Sequence, residues 1–439
     1  MSGQRAAAEP YATRFETEVT SIDGRRVWLE RSFFYGESGG QPADRGTIGD
    51  VDVVDVQVVD GEQVHHLAEE PSFRVGQRVL CSVDWSFRMY CMRAHTASHV
   101  LHGAARRVLD DFEYAGIAIG EETVRIDLET SSTVDDAAVL ELDELVNRVV
   151  WESRSVSWDD APVAEVRERD DVAFNEATED DALRKGRVRL VTISDRGDAG
   201  NECARVVGNG ATVTVSGGGS ASREPWDVAA CGGTHVRNTR EIGPVTVLGR
   251  SHPEEGVARI ELAVGPTAIE RRRAEKRAAF GVRRALETNL EAVDDELERV
   301  ATDRDELTER LYERERELAA ERLERGSTVD RDGERWLTAT VGDLPSDVVD
   351  ALVGEWVDAD GRAAIEVDEP IDVVVAVGEV DATYAVVGAT GSRSAAAVLE
   401  ELADAFGGDG EGTDDVAVGG GFDSSPDAIR DHLGRRVVR

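Results

Sequence analysis

Two short fragments, His95-Thr-Ala-Ser-His99 and Cys231-Gly-Gly-Thr-His235, constrain this chain more than any other part of it. Each sets two metal-ligating side chains at i and i+4, which on a helix puts both on one face, a turn apart. Together they supply three imidazoles and one thiolate, a donor set suited to tetrahedral Zn²⁺. A fold that uses them jointly must bring together segments more than a hundred residues apart. A single His pair at this spacing is ordinary, and mutual hydrogen bonding explains it as well. The second pair alters that balance, because the chain holds only 8 His and 4 Cys and both fragments draw on them. Zinc proteases carry a related His pair but need Glu directly after the first His as general base. Thr96 stands there instead, which removes the protease reading.

At 439 residues the chain has room for two to four domains. No apolar run approaches the ~18 residues of a membrane span. The opening Met1-Ser-Gly-Gln-Arg-Ala lacks the apolar stretch of a secretory signal. Both features point to a soluble, cytoplasmic protein with no membrane partner. Cys81, Cys91, Cys203 and Cys231 are too few and too scattered for a disulfide framework. Cys81 and Cys91 read as small buried apolar residues.

Charge decides which partners are plausible. The 89 acidic and 50 basic residues leave −39, and only Lys185 and Lys276 are lysine. Dispersed acid with Arg in place of Lys resembles a cytosolic protein of a salt-loving archaeon. In about 1 M salt the Debye length is roughly 3 Å, so the self-repulsion is screened. The same screening removes the long-range repulsion of nucleic acid, leaving short-range contacts to decide. Two basic stretches then stand out. One is Arg184-Lys-Gly-Arg-Val-Arg189, with Arg184, Lys185 and Arg187. The other runs from Glu270 to Arg284 and opens with Arg271, Arg272 and Arg273. Both read either as solvated surface or as phosphate contacts.

Along residues 1–88, Phe15–Thr20, Arg26–Glu30, Val51–Val59 and Gln77–Val83 alternate or run apolar between Gly, Asp and Pro breaks. This spacing predicts a small β-barrel. Between these strands lies a Gly-rich loop, Phe34 to Gly46, which contains Gly39, Gly40 and Gln41. Such loops usually only turn the chain, yet this one could approach a ligand closely. A helix is expected from Met89 to about Leu109, with His95, His99 and His102 on one face. His102 reads as a core histidine, and His65 and His66 as strand residues. A helix near Val134–Ser153 follows, then strands near Val163–Val166, Val188–Ile193, Val245–Leu248 and Val257–Val264. Residues 195–225, which include Cys203, read as an insertion. From 267 to 325, Leu286, Leu290, Val293, Leu297, Val300, Leu307, Leu311 and Leu318 step by four and three, predicting one long heptad helix. Beyond it, strands at Trp336–Val341, Ile371–Val377 and Tyr384–Val387 and a helix at Ser392–Phe406 form an α/β module with a Gly-rich end.

The Gly-Gly-Gln-Pro loop, the His-Thr-Ala-x-His helix and the Cys-Gly-Gly-Thr-His fragment occur in this order in the editing half of alanyl-tRNA synthetases. Free-standing relatives, the AlaX proteins, share them. The continuation Val-Arg-Asn-Thr-Arg-Glu-Ile-Gly (236–243) extends the likeness, and the chain resembles the long form of AlaX over nearly its whole length. The resemblance implies an α+β multidomain protein with four parts: a translation-factor-like β-barrel (1–88), an α+β zinc-binding tRNA editing domain (89–265), a long heptad helix or coiled coil (266–327), and a DHH-associated C-terminal Gly-rich α/β module (328–439). With no aminoacylation module before the barrel, it implies a trans-editing deacylase for mischarged tRNA(Ala), chiefly Ser-tRNA(Ala), with Gly-tRNA(Ala) a second candidate. Synthetase pockets reject one added hydroxyl poorly, which gives such an enzyme its purpose.

It further implies one Zn²⁺ per chain held by His95, His99, Cys231 and His235, either orienting substrate or activating water. Thr96 and Gln41 are the expected catalytic residues; with Gly39 and Gly40 they are also the expected substrate contacts, and Thr96 would recognise the serine hydroxyl. Arg184, Lys185, Arg187, Arg271, Arg272 and Arg273 are the expected tRNA contacts, and the heptad offers a homodimer through the C-terminal half. No role with DNA is expected. Four protein ligands resemble a closed structural zinc, so a non-catalytic RNA-binding protein is the alternative. The terminal loop departs from the family: where relatives carry cations, Gly407-Gly-Asp-Gly-Glu-Gly-Thr-Asp places Asp409 and Thr413. A phosphoesterase would need Asp-His-His, and Asp431-His432-Leu433 lacks the second His.

Overall fold

The computed structural model describes residues 4–169, 172–173, 186–194, 207–208, 211–212, 224–331, 333–358 and 370–434. They divide into two compact units, Met1–Gly281 and Val282–Arg439. The fold is α+β, with a six-stranded N-terminal barrel and several helices. Among the described residues no helix is long and apolar enough to cross a membrane.

The first unit opens with a helical turn, α1 (Arg5–Ala8), and the closed barrel. Its strands are β1 (Arg14–Asp23), β2 (Arg26–Leu29), β3 (Gly46–Ile48), β4 (Val51–Val59), β5 (Glu62–Leu67) and β6 (Arg78–Val83), ordered β1-β2-β5-β4-β3-β6. Period-two patterning explains the inner face: Phe15, Thr17 and Val19 of β1 point inward while Glu16 and Glu18 face water. Val79, Cys81 and Val83 do the same on β6. Four of these strands were legible in the sequence. β3 is too short to show alternation, and β5 is marked only through His65 and His66, read as strand residues, because two histidines stand where apolar residues would announce its bounds. His65 is buried; its Nδ1–H donates to the Val27 carbonyl at 3.1 Å, and Nε2 accepts from the Ser32 hydroxyl at 2.8 Å.

Helix α2 (Trp85–Val108) follows directly. Asp84 caps it, accepting from the Ser86 and Phe87 amides, so it begins four residues before the expected Met89. From Ala94 to Ala105 every residue is buried. Polar residues in such a helix, including His95, Thr96, Ser98, His99 and His102, must therefore find partners inside the protein. Helix α3 (Asp136–Trp151), capped by Asp135, lays Leu142, Val146 and Val149 against the same core.

The remaining strands of this unit are β7 (Glu113–Ile119), β8 (Val124–Glu129), β9 (Val156–Pro162), β10 (Val172–Ala173), β11 (Arg187–Ile193), β12 (Val207–Gly208), β13 (Ala211–Thr212), β14 (Asp227–Ala230), β15 (Val245–Ser251) and β16 (Val257–Val264). They form two four-stranded sheets, β15-β16-β8-β7 and β10-β14-β11-β9, and the small β12-β13 ladder. One expectation is corrected here. Val163–Val166 is a helical turn, not a strand; it starts after Pro162 and buries Val163 and Val166, three residues apart, on one side. Two β-branched residues at that spacing mimic a strand in sequence. Most of the 195–225 insertion, Cys203 included, lies outside the described residues.

The heptad segment is likewise corrected. It is two helices, Pro266–Ala285 and Val293–Glu324, rather than one. Between them Glu287 adopts a positive φ of 52° and the Asn289 side chain accepts from the Ala292 amide, starting a new turn. Apolar spacing continues through this point, so the pattern conceals the break. Leu297, Val300, Leu307 and Leu311 of the 32-residue second helix are exposed, while Ala319 and Leu323 near its end are buried.

In the second unit that helix end and helix Ser346–Asp358 cover one face of a six-stranded sheet; helices Ala395–Phe406 and Pro426–Leu433 cover the other. The strands are β17 (Ser327–Arg331), β18 (Glu334–Gly342), β19 (Val373–Glu379), β20 (Thr383–Ala389), β21 (Asp409–Gly412) and β22 (Val416–Phe422), ordered β17-β18-β19-β20-β22-β21. Within this sheet, among the described residues, only β18 and β19 pair in parallel. Buried on both faces, β19 and β20 read as continuous apolar runs.

Candidate metal centre

His95 and His99 stand one turn apart on α2, and Cys231 and His235 belong to the segment that leaves β14. Their ligating atoms all lie within 4.8 Å of one another, and all four residues are buried. Cys231 Sγ is 3.3 Å from both His95 Nε2 and His235 Nε2. Zn–S bonds of ~2.3 Å and Zn–N bonds of ~2.0–2.1 Å at tetrahedral angles give an edge of about 3.5 Å. The cluster is therefore sized to hold a metal ion.

Hydrogen bonding behind the cluster settles which nitrogen each ring presents. Gln41 Oε1 accepts from the Thr234 amide at 2.9 Å and lies 2.9 Å from His95 Nδ1, so that nitrogen carries the proton. Asp227 Oδ2 lies 3.0 Å from His99 Nδ1, and a carboxylate only accepts. Thr96 donates its one hydroxyl proton to the Met92 carbonyl at 2.8 Å and accepts from the Val236 amide. His235 Nδ1, 3.2 Å away, must then donate to it as well. All three imidazoles thus carry the proton on Nδ1 and turn the Nε2 lone pair inward. This arrangement orients metal-binding histidines and raises their basicity.

Electrostatics favour the Cys231 thiolate and a neutral His235, whereas His99 is held protonated and gives up its Nε2 proton only when it binds a metal. Burial alone would push the Cys231 thiol up, but the His95 and His235 rings beside it hold it well below its ordinary value. Burial lowers His235 to about 3, keeping it neutral despite Cys231. Burial disfavours charge on His99 too, yet the Asp227 hydrogen bond and Cys231 raise it to about 10. Asp227, buried between two histidines, is held below the usual carboxylate range by their hydrogen bonds, which outweigh desolvation.

A cavity of about 180 Å³ opens against this cluster. His95, Ser98, His99 and His102 form its floor, with walls of Tyr35, Tyr114, Ile117, Ala229 and Ala230 beside Gly39, Gly232 and Gly233. It is smaller than the ~300–1,000 Å³ of drug-sized ligand sites, and so suits a small group. Two glycines are sterically required. At Gly40 (φ 76°) a Cβ would overlap the Ile117 carbonyl, because the loop docks on β7 through the Ile119 amide. At Gly233 a Cβ would overlap the His95 ring. Arg189 secures that last loop by donating to the Cys231 and Gly233 carbonyls.

The four expected ligands are brought together. Of the expected substrate contacts, Gly39 lines the cavity and Gly40 braces the wall. Gln41 and Thr96 are fully buried behind the ligands, with their polar atoms engaged by protein, so neither touches the cavity. That differs from the direct contact expected of them. Of the basic residues, Arg187 donates to the Asp160 carbonyl, Arg271 pairs with Glu275, Arg272 reaches Asn147 and the Val245 carbonyl, and Arg273 is exposed. Arg184 and Lys185 lie outside the described residues. His102 falls outside the cluster, donating from Nδ1 to Asp227 Oδ1 at 2.6 Å. The sequence gives no sign of Asp227, and Arg189, read with its basic stretch as surface or phosphate contact, is buried under the Cys231–Gly233 loop instead.

A barrel loop, a buried helix with paired histidines and a Cys-Gly-Gly-Thr-His segment surround one pocket, in a chain that is similar to tRNA synthetases over two of its stretches. Residues 5–87 match the class II (A) tRNA synthetases, and residues 188–261 match the second additional domain of threonyl and alanyl tRNA synthetases. The alanine–tRNA ligase of Natronomonas pharaonis is 30% identical over 97% of this chain, that of Methanosarcina mazei 28% over 97%, and that of Pyrococcus abyssi 30% over 71%. The chain spans 43%, 43% and 31% of those proteins, less than half of each. These matches over most of the chain support an AlaX-like editing protein.

Proposed function

We propose that this protein is a trans-editing hydrolase that removes a wrong amino acid, chiefly Ser and secondarily Gly, from tRNA(Ala) at a Zn²⁺ held by His95, His99, Cys231 and His235. The observation that carries the proposal is the cluster itself, four donors within 4.8 Å beside a small cavity, in a chain similar to alanine–tRNA ligases. On this reading the barrel (1–88) supplies the Gly-Gly-Gln loop, residues 89–265 form the editing domain, and the two remaining parts (266–327 and 328–439) serve tRNA contact or dimerisation.

When bound, the zinc would supply Lewis acidity at the ester carbonyl. The chain's own residues do the rest. Gln41, Asp227 and Thr96 hold the three rings with Nε2 forward, so the donors need no rearrangement. The Ala229–Ala230 wall, with Tyr35 and Ile117, keeps bulk water from the aminoacyl group. Gly232 and Gly233 let backbone approach it closely. Arg271 and Arg273, with Arg187, Arg184 and Lys185, are the proposed phosphate contacts, effective at high salt because they act at short range.

The four-ligand shell favours one second reading, a structural zinc in a non-catalytic RNA-binding protein, since catalytic zinc keeps a position open. Deacylation of Ser-tRNA(Ala) and Ala-tRNA(Ala) in molar KCl, by wild type and His95→Ala, separates the two. Rapid loss of Ser but not Ala, abolished in the variant, supports the hydrolase. Binding without turnover supports the second reading.

A further inference from the structure

We propose that His102, held by Asp227, is the group that recognises the side-chain hydroxyl of the amino acid; this rests on the deacylase reading above. Among the polar side chains of the cavity, which also include Ser38 and Tyr114, His102 is the one outside the metal cluster that a buried carboxylate holds in place. The Ser98 hydroxyl donates to the His95 carbonyl and the Tyr35 hydroxyl to the Ser38 carbonyl. His95 Nε2 faces Cys231, the His99 ring is held in the cluster through Asp227, and Thr96 and Gln41 lie behind the ligands. His102 lines the same cavity yet stands outside the metal cluster.

Its ring is fixed on three sides. Nδ1–H donates to Asp227 at 2.6 Å, while Phe112 and Tyr114 pack edge-on with ring centroids 5.3 and 5.5 Å away. In the neutral ring, with the proton held on Nδ1, Nε2 is an acceptor. The other oxygen of Asp227 bonds His99, so one carboxylate sets the acceptor's position relative to the metal ligands. A β-hydroxyl on the aminoacyl group can donate to Nε2; a methyl group cannot, and leaves that nitrogen unpaired. A site built around a hydrogen bond to a hydroxyl rejects the analogue lacking it far better than an apolar pocket rejects an added hydroxyl. The substrate class is therefore an ester of a β-hydroxy amino acid, in preference to alanine.

The test compares two substitutions. In His102→Asn the amide nitrogen keeps the Asp227 bond and the distal acceptor is lost. In His102→Gln an oxygen returns near the Nε2 position. Wild type and both variants are assayed on Ser-tRNA(Ala) and Ala-tRNA(Ala) in molar KCl, and zinc content is measured in parallel. The expected result for Asn is a roughly tenfold fall in the Ser-to-Ala ratio of kcat/KM, mainly through KM for Ser, with zinc retained. Gln recovers part of the ratio. A wild-type ratio in Asn overturns the proposal. So does loss of zinc in both variants, which makes His102 a support of the metal centre. Wild type that leaves Ser-tRNA(Ala) intact overturns the deacylase reading and this inference with it.

Discussion

Gln41 Oε1 sits 2.9 Å from His95 Nδ1, so a barrel residue sets the tautomer of a ligand carried by α2. The same oxygen receives the Thr234 amide, and Gln41 Nε2 donates to the Thr234 hydroxyl at 2.9 Å. One amide thus joins three distant segments at the cluster. Gln41→Leu keeps the volume and removes all three bonds. The expected outcome is zinc affinity lowered ~10–100-fold, measured by competition with a chelator. Wild-type affinity would show that the barrel loop does not support the centre.

Thr96→Val removes the acceptor of His235 Nδ1–H while preserving shape. Because the Thr96 hydroxyl is enclosed by Met92, Val236 and His235, the expected effect is weaker zinc binding with an unchanged Ser-to-Ala preference. A narrowed preference at full zinc occupancy would restore Thr96 to direct recognition.

His65 gives a pH dependence away from the centre. Burial lowers it from 6.5 to about 4, against a favourable bond to Val27. Between these values the unfolded chain binds a proton that the folded chain does not, so stability rises with pH across the window. It is lost on acidification from about 6.5 towards 4, reaching about 3 kcal/mol below it. Denaturant unfolding at both ends of the window should show this difference in wild type, and a smaller one in His65→Gln. Equal slopes would contradict it.

With −39 formal charges and carboxylates spread along the chain, the fold repels itself in dilute buffer. The melting temperature is expected to rise from roughly 0.1 M to molar KCl as the Debye length shortens from ~10 to ~3 Å. A flat profile would contradict the reading of the protein as adapted to salt.

The exposed row Leu297, Val300, Leu307 and Leu311 on helix Val293–Glu324 is the proposed dimer seam. Light scattering is expected to show a dimer at micromolar concentration, reduced to monomer by Leu307→Glu with Leu311→Glu. Wild type that is monomeric at every concentration would contradict it.

How much of this was legible depends on the range of the interactions involved. The ligand pairs show in sequence because i, i+4 spacing is local, and the barrel shows where alternation survives in β1, β4 and β6. The hydrogen bonds behind the ligands do not show. Gln41 looked like a substrate contact because a Gly-rich loop commonly approaches ligands, but here it approaches His95. Thr96 has the right neighbour in sequence, yet the helix turns its hydroxyl towards Met92. Asp227 acts across more than a hundred residues on His99 and His102, and no local pattern marks it. The break at Glu287 was hidden because a single left-handed residue leaves the apolar spacing untouched.

X-ray absorption at the zinc edge of the purified protein tests the central claim most directly. The expected spectrum shows one sulfur near 2.3 Å and three nitrogens near 2.0–2.1 Å, at about one zinc per chain, with the sulfur lost in Cys231→Ala. Protein that carries no zinc, or zinc without a sulfur neighbour, would contradict it.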